Sequence, residues 1–325
     1  MMREIIFTLP EQISEAVRYV PEESFGKKKY DKVLMCGMGG SGISGEILSA
    51  LYPEVMVISN KDYDVPEFVD RKTLAILVSY SGNTEETLSN FEQLRRRKID
   101  TVVISSNGRL LKKKAHSKVR VPGGLPPRGA LGYLFTPLPV IIWRAGLIMS
   151  DPRRRLVTLS RFLVRERYSI EDKAKRMAAK FCDKLPIFYA DSAAFVPVAN
   201  RWRCQFNENA KVLAHFNVIP EMNHNEIVGL GRPSFLNKDI TIVFLKDPGA
   251  HKRNGLRRRL LKSLVSSEIP AMTDVEPRGN STLQHIFWTI MLGDFISYYL
   301  ALEQGVDPMP VARIEQLKSE MAKSK

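Results

Sequence analysis

The chain has 325 residues, 44% of them hydrophobic, and carries a formal net charge of +14 with a pI near 9.7. That length exceeds a typical single core and predicts two domains of about 150 residues each. Three cysteines without CxxC spacing and five histidines without HxxxH or HxxE spacing argue against a disulfide framework and a zinc site, so a reducing cytoplasm and no metal cofactor are expected.

The basic residues gather at Arg95 to Lys98, Lys112 to Lys114, Arg153 to Arg155 and Arg257 to Arg259 without interleaved aromatics. They read as solvated helix faces rather than a nucleic-acid surface. Met1 to Pro10 carries Arg3 and Glu4 and predicts no secretory leader. The apolar stretches Leu134 to Met149 and Ile286 to Leu302 are interrupted by Pro137, Pro139 and Arg144 and by Asp294, so no membrane span is expected.

In chain order, a short helix over Glu11 to Tyr19, read as a lid, and a charged run from Lys27 to Asp31 lead into a strand at Val33 to Cys36. A Gly-rich turn, Gly37 to Gly42, then opens a helix to about Leu51. Strands follow at Val55 to Ser59, Leu74 to Val78, Thr101 to Ser105 and Val119 to Val121, with helices over Thr84 to Arg97 and Leu110 to His116 between them. After the rigid loop VPGGLPPRG, Ala130 to Met149 reads as a helix bent near Pro137 and Pro139. Asp151 as an N-cap with Pro152 at the first helical position places a domain boundary at residue 150.

Beyond it come helices from Pro152 to Asp183, a strand Pro186 to Tyr189, a helix over Phe195 to Lys211 and an irregular segment from Phe216 to Asn225. A strand at Ile240 to Leu245, a helix Gly255 to Leu264, a strand near Ile269 to Thr273, a long helix Leu283 to Leu302 and a last helix Val311 to Lys323 complete the chain. The expected fold class is α/β: two αβα sandwich domains, residues 1–150 and 151–325, each with a mainly parallel sheet flanked by helices.

Two loops invite chemistry. Gly37 to Gly42, GMGGSG, fits GxGxxG between a strand and a helix, the setting of a dinucleotide site. The second strand, however, ends in Ser59, Asn60 and Lys61, with Asp62 only a loose match for a ribose-binding acid, and no GK[ST] follows. The loop reads better as a close backbone approach to a ligand, with Ser41 donating a hydrogen bond. A turn that merely needs close packing is the plainer alternative.

Ser79 to Thr87, SYSGNTEET, sets the hydroxyls of Ser79, Ser81 and Thr84 at a helix N-terminus, which suits a phosphate dianion. Asn83 followed by Glu86 could instead be a capping box, but capping leaves Ser79 and Ser81 unexplained.

Together with PRGALGY, FNENAK and NHNE, these loops make the chain resemble the bifunctional phosphoglucose/phosphomannose isomerases of the sugar isomerase (SIS) domain superfamily over essentially its full length. The resemblance implies that Ser41, Ser79, Ser81 and Thr84 hold a sugar phosphate, with Gly40 contributing backbone. It implies that Arg128 faces the reacting carbons, that Glu208 is the catalytic base and that His224 opens the sugar ring. It also implies a homodimer in which His224 reaches the neighbouring subunit's site, and Lys318 in the last helix as a further catalytic residue. Family members can carry a hydroxyl residue about two turns before that lysine, thought to help admit mannose 6-phosphate. Val311 stands near that point, so glucose activity is expected more firmly than mannose activity.

These residue types also suit the chemistry independently. Moving a proton between C1 and C2 of a 2-hydroxy aldehyde needs one carboxylate that is base and then acid, its pKa brought toward neutrality by partial burial. A fixed cation stabilises the enediolate, and a histidine can exchange protons during ring opening. The expected function is therefore aldose–ketose isomerisation of glucose 6-phosphate and mannose 6-phosphate to fructose 6-phosphate without a cofactor. A noncatalytic phosphosugar sensor is the alternative, although the residues before Val33 leave little room for a DNA-binding module. An amidotransferase-type isomerase half would need a glutaminase partner.

Overall fold

The computed structural model describes residues 1–22 and 29–323, so Lys27 and Lys28 of the charged run lie outside the described residues. α1 (Met2–Phe7) and α2 (Leu9–Ala16) replace the single opening helix and pack into the main core rather than forming a lid, with Met2, Ile6, Leu9 and Ile13 buried.

The first sheet holds β1 (Lys32–Cys36), β2 (Met56–Asn60), β3 (Thr73–Val78), β4 (Asp100–Ser105) and β5 (Ser117–Arg120) in the order β2-β1-β3-β4-β5, all parallel. Its helices are α3 (Gly39–Leu51), α4 (Glu85–Arg96), α5 (Gly108–Lys112), α6 (Leu131–Phe135) and α7 (Pro137–Arg144). The continuous apolar run TLAILV makes β3 a central strand buried along its whole length. One sheet face, with Leu34, Cys36, Ala75 and Leu77, packs on Leu88, Phe91 and Leu94 of α4. The other, with Val33, Met35, Leu74 and Ile76, joins the larger core.

That larger core continues into the second half. α8 (Arg153–Ala178) and α11 (Thr282–Glu303) lie in it, and so do Phe188 and Ala190 of β6 (Leu185–Ala190) and Val243 and Leu245 of β8 (Ile240–Leu245). The second sheet has the order β7-β6-β8-β9, again all parallel, with β7 at His215–Val218 and β9 at Met272–Val275. Its outer face buries Ile187, Tyr189, Ile242 and Phe244 against Leu261 and Val265 of α10 (Lys252–Val265). The protein is thus an α/β assembly in which two parallel sheets share an inner helical layer. Counted from the first strand of each half, the four strands of the second sheet follow the order of the first four of the five-stranded sheet, as an internal repeat would.

Several expectations move. The Ala130 to Met149 helix is two helices meeting at Thr136 and Pro137, because Pro137 supplies no N–H to continue the ladder. α8 begins at Arg153, with Asp151 Oδ1 accepting from the Arg153 N–H at 2.9 Å instead of capping from the N-cap position. The segment from Phe216 to Asn225, read as irregular, opens inside edge strand β7, and β9 lies later than expected, past Pro270.

Of the basic runs, Arg258 turns inward and pairs with Asp191 while Arg257 and Arg259 stay on the outer side of α10. Asp191 follows β6. Its carboxylate accepts from Arg258 and, at 2.6 Å, from the backbone N–H of Asp247 just beyond β8.

α11 is long and apolar enough to cross a membrane by length and composition, with a mean hydropathy of 1.2, but 78% of that window is buried inside the protein. Asp294 in its middle is buried against Arg201.

Candidate active site

β1 and β3 are neighbours in the first sheet, yet α3 after β1 and α4 after β3 pack on opposite faces. Their C-terminal ends therefore bound the crevice where open parallel sheets bind ligands. Both predicted loops lie there.

α3 starts at Gly39, earlier than the end of the Gly-rich turn, and neither α3 nor α4 has a side-chain cap bond. Two uncapped helix N-termini, with their partial positive charge, converge on one crevice. A side chain at Gly42 would sit 2.6 Å from the Gly37 carbonyl oxygen, so the tightness of the turn itself requires glycine.

The capping-box reading is not realised: Thr84, not Asn83, is the N-cap, and Asn83 Oδ1 accepts instead from the Arg109 N–H at 3.0 Å. The Thr84 hydroxyl lies 2.8 Å from Ser79 Oγ, which also accepts from the Gly82 N–H at 3.1 Å. Ser81 Oγ accepts from the Asn83 N–H, and Ser41 Oγ accepts from the Tyr80 N–H at 3.4 Å, tying the two loops together. Asp62 Oδ1, the loose match for a ribose acid, accepts from the Tyr63 N–H at 2.6 Å.

Gly40 links this crevice to the third predicted element. A Cβ at Gly40 would stand 3.2 Å from the Pro127 carbonyl oxygen and 3.3 Å from Arg128 Cα, so the first turn of α3 lies directly against the Arg128 loop. Pro126 and Pro127 lead into a short 3-10 turn, Pro127–Gly129, which turns the Arg128 side chain inward until it is only 4% exposed.

Its Nε donates to Asn209 Oδ1 at 2.7 Å, and its Nη2 donates to the carbonyls of Pro308 and Met309 at 2.7 and 2.9 Å. Nη1 is 3.6 Å from Glu208 Oε2. Burial lowers the Arg128 pKa and the Glu208 charge opposes that shift, but an arginine starts so high that it stays cationic.

Glu208 comes from the second half. α9 (Val196–Gln205) runs on into a π-turn, Phe206–Ala210, which ends at Lys211 in the left-handed region with φ 60°. Such turns insert an extra residue into a helix and re-aim its side chains. Glu208 keeps 27% of its side chain exposed and lines a groove of about 490 Å³ with Asn207, Lys211, Pro310, Val311 and Arg313.

Behind it, Arg201 and Asp294 form a buried pair at 2.6 Å, and Arg201 Nη2 also donates to the Arg128 carbonyl at 2.9 Å. Through the Gly40 contact and the Arg201 bond, the Gly-rich loop, Arg128 and the helix that carries Glu208 are joined in one structure. A larger cavity of about 740 Å³, lined by Leu51, Tyr52, Arg154 and Arg155 among others, contains none of the predicted site residues.

His224 and Lys318 are not brought to this groove within the chain. His224 is exposed at the end of a 3-10 turn, Glu221–His224, that follows β7. Lys318 is exposed on α12 (Ala312–Lys323), whose first turn walls the groove. His215, read as the structural histidine, lies 3.3 Å from Glu226.

Sequence reasoning missed two residues. Lys211 donates to the Glu208 carbonyl at 2.6 Å, and its pKa is lowered by burial and then by Arg128. Asn209 holds Arg128. Both sit inside FNENAK, and that motif was the available signal.

A family model described as the bacterial phospho-glucose isomerase C-terminal SIS domain matches residues 170–321, and the SIS domain model matches residues 27–124. The chain is 40% identical over 339 residues to a bifunctional phosphoglucose/phosphomannose isomerase of Caldicellulosiruptor bescii, covering 100% of both chains. It is 37% identical to the protein of that description from Thermoplasma volcanium, covering 95% of this chain and 97% of the relative. Among solved structures, the C-terminal domain of glucosamine-fructose-6-phosphate aminotransferase from Francisella tularensis superposes with a TM-score of 0.77 at 15% identity, covering 94% of this chain and 97% of that one. That last likeness concerns the fold.

Proposed function

The chain belongs to the bifunctional phosphoglucose/phosphomannose isomerase family, and from that premise we propose how its residues divide the work. The activity is aldose–ketose isomerisation, interconverting glucose 6-phosphate and mannose 6-phosphate with fructose 6-phosphate. The observation that carries the reading of the site is the approach of Arg128, from the first half, to Glu208, from the second, at 3.6 Å beside an open groove.

In this reading the phosphate sits between Ser41, Ser79, Ser81 and Thr84 at the two uncapped helix ends, with Gly40 offering backbone. Binding energy from that remote group aligns C1 and C2 with Glu208. The substrate arrives as a ring, and His224 exchanges protons with the ring oxygen and O1 to open it.

Glu208 then takes the proton from C2 of the aldose. The C2–H electron pair forms the C1–C2 double bond as the C1 carbonyl pair moves onto oxygen, leaving a cis-enediolate. Arg128 offsets the negative charge on O1 and O2, an interaction stronger in the transition state than in the ground state. Glu208 returns the proton to C1 as the O2 hydroxyl proton passes to O1; the C1–C2 double-bond pair takes up the proton at C1, the O2 pair forms the C2 carbonyl, and the ketose results. Every electron pair stays within the substrate, so the step consumes no redox partner.

The exposure of His224 away from its own chain's groove supports its delivery to the neighbouring subunit of a homodimer. Lys318, on the helix that walls the groove, acts with it in ring opening. We take residues 1–150 as the phosphate-binding unit and residues 151–325 as the unit carrying the base. A cytoplasmic setting accords with free Cys36, Cys182 and Cys204.

Fructose 6-phosphate formation, assayed separately from each aldose, tests the activity, and hydrogen exchange at C2 in deuterated water tests the proton transfer. Tight fructose 6-phosphate binding with no exchange would instead fit a sensor.

A further inference from the structure

We propose that Asn209 is a positioning residue that sets the rotation of the Arg128 guanidinium toward the reacting carbons; this rests on reading Arg128 as the cation that stabilises the enediolate. Asn209 is fully buried on the π-turn, directly after Glu208, and both ends of its amide are used. Oδ1 accepts from Arg128 Nε at 2.7 Å, and Nδ2 donates to Ser297 Oγ at 3.0 Å.

The amide cannot be flipped without loss. Ser297 Oγ commits its own proton to the Asp294 carbonyl at 2.8 Å, so it can only accept from Asn209. A flipped amide would aim an N–H at Arg128 Nε, donor against donor.

With Nε held by Asn209 and Nη2 held by the Pro308 and Met309 carbonyls, Nη1 is the guanidinium nitrogen left facing Glu208. A planar fork fixed along its Nε and Nη2 edge cannot swing about its last bond. The same five-residue turn therefore carries the base and locks the cation, coupling their separation to a single piece of backbone.

The test uses full-length protein, with kcat and KM for fructose 6-phosphate and C2 exchange in deuterated water. Asn209→Leu keeps the branching and heavy-atom count of the side chain and removes both polar ends. We expect kcat to fall about 100-fold, the scale of a misaligned reacting group, with KM within about twofold.

The decisive measurement is the pair with Arg128→Ala: if Asn209 acts through Arg128, adding Asn209→Leu to Arg128→Ala slows exchange no further. Independent losses that multiply would overturn the inference while leaving Arg128 in its role. Wild-type turnover by Arg128→Ala would overturn the reading of Arg128 itself.

Should Asn209→Leu not fold, Ser297→Ala removes only the partner that orients the amide. It is expected to lower kcat about tenfold, equivalent to about 1.4 kcal/mol, at unchanged KM. Wild-type kcat in folded Ser297→Ala would count against the proposal.

Discussion

Glu208→Gln separates the carboxylate's chemistry from its structural contribution. The substitution preserves shape and leaves the π-turn's neighbours in place, but an amide cannot accept the C2 proton. General-base catalysis contributes about 10²- to 10⁴-fold, or about 3 to 5 kcal/mol of barrier.

The structural side of the ledger is smaller. At 3.6 Å from Arg128 Nη1, an effective dielectric of about 20 gives a gross attraction of about 4 to 5 kcal/mol. Glu208 is 27% exposed and solvent-screened, and Arg128 keeps its Asn209, Pro308 and Met309 acceptors, so the net stability loss should be about 1 kcal/mol.

Urea unfolding measures the second quantity, while C2 exchange and fructose 6-phosphate formation measure the first. Exchange within tenfold of wild type would refute the assignment of the base. A stability loss of the full gross size would show that the carboxylate serves mainly to neutralise Arg128.

Thr84→Val removes the hydroxyl 2.8 Å from Ser79 Oγ and should weaken inhibition by inorganic phosphate about tenfold, with a smaller effect on kcat. Full phosphate affinity with lost exchange would reverse the proposed division between anchor and chemistry. Gly40→Ala places a methyl against the Pro127 carbonyl and Arg128 Cα, and should lower kcat about tenfold by displacing the cation's loop; circular dichroism and turnover together check this. Cys36, buried and pushed up to about 12, has about one thiolate in 10⁴ at pH 8. A thiol reagent should modify Cys36 only after denaturant, and Cys182 and Cys204, both half-buried, should react first.

The parts of the molecule legible in sequence are those whose signal is local. TLAILV and ITIVFL are continuous apolar runs of strand length and became β3 and β8, the strands buried along their whole length. HFNV was not legible as β7, because an edge strand pairs on one side only and its residues are exposed or half-buried. The π-turn was also invisible: Phe206–Ala210 has the composition of an ordinary helix end, and Phe206, where the turn begins, packs against Phe181, Phe188 and Trp202, residues distant in sequence or shared with any helix.

Arg128 and Glu208 stood out through their motifs, whereas their separation depends on packing between the halves that no local pattern encodes. The Pro308 and Met309 carbonyls carried no sequence signal at all, since backbone acceptors are common to every residue. Arg258 was misjudged for a related reason. A run of three arginines on a helix points in three directions, and one of them met the second sheet.

That arginine fills the matching place in the second half. In the first sheet the ends of β1 and β3 bound the crevice proposed to take the phosphate. In the second, the corresponding ends of β6 and β8 are bridged by the Asp191 carboxylate, held by Arg258 and the Asp247 N–H. The second half thus holds a carboxylate of its own chain at the place where the first half is proposed to take a guest. Asp191→Asn should accordingly appear in an unfolding curve, through an uncompensated Arg258, while leaving substrate KM at its original value. The two sheets share an order of strands but differ here: the place beside β1 and β3 is proposed to exchange its anion with solution, and the one beside β6 and β8 is filled from within.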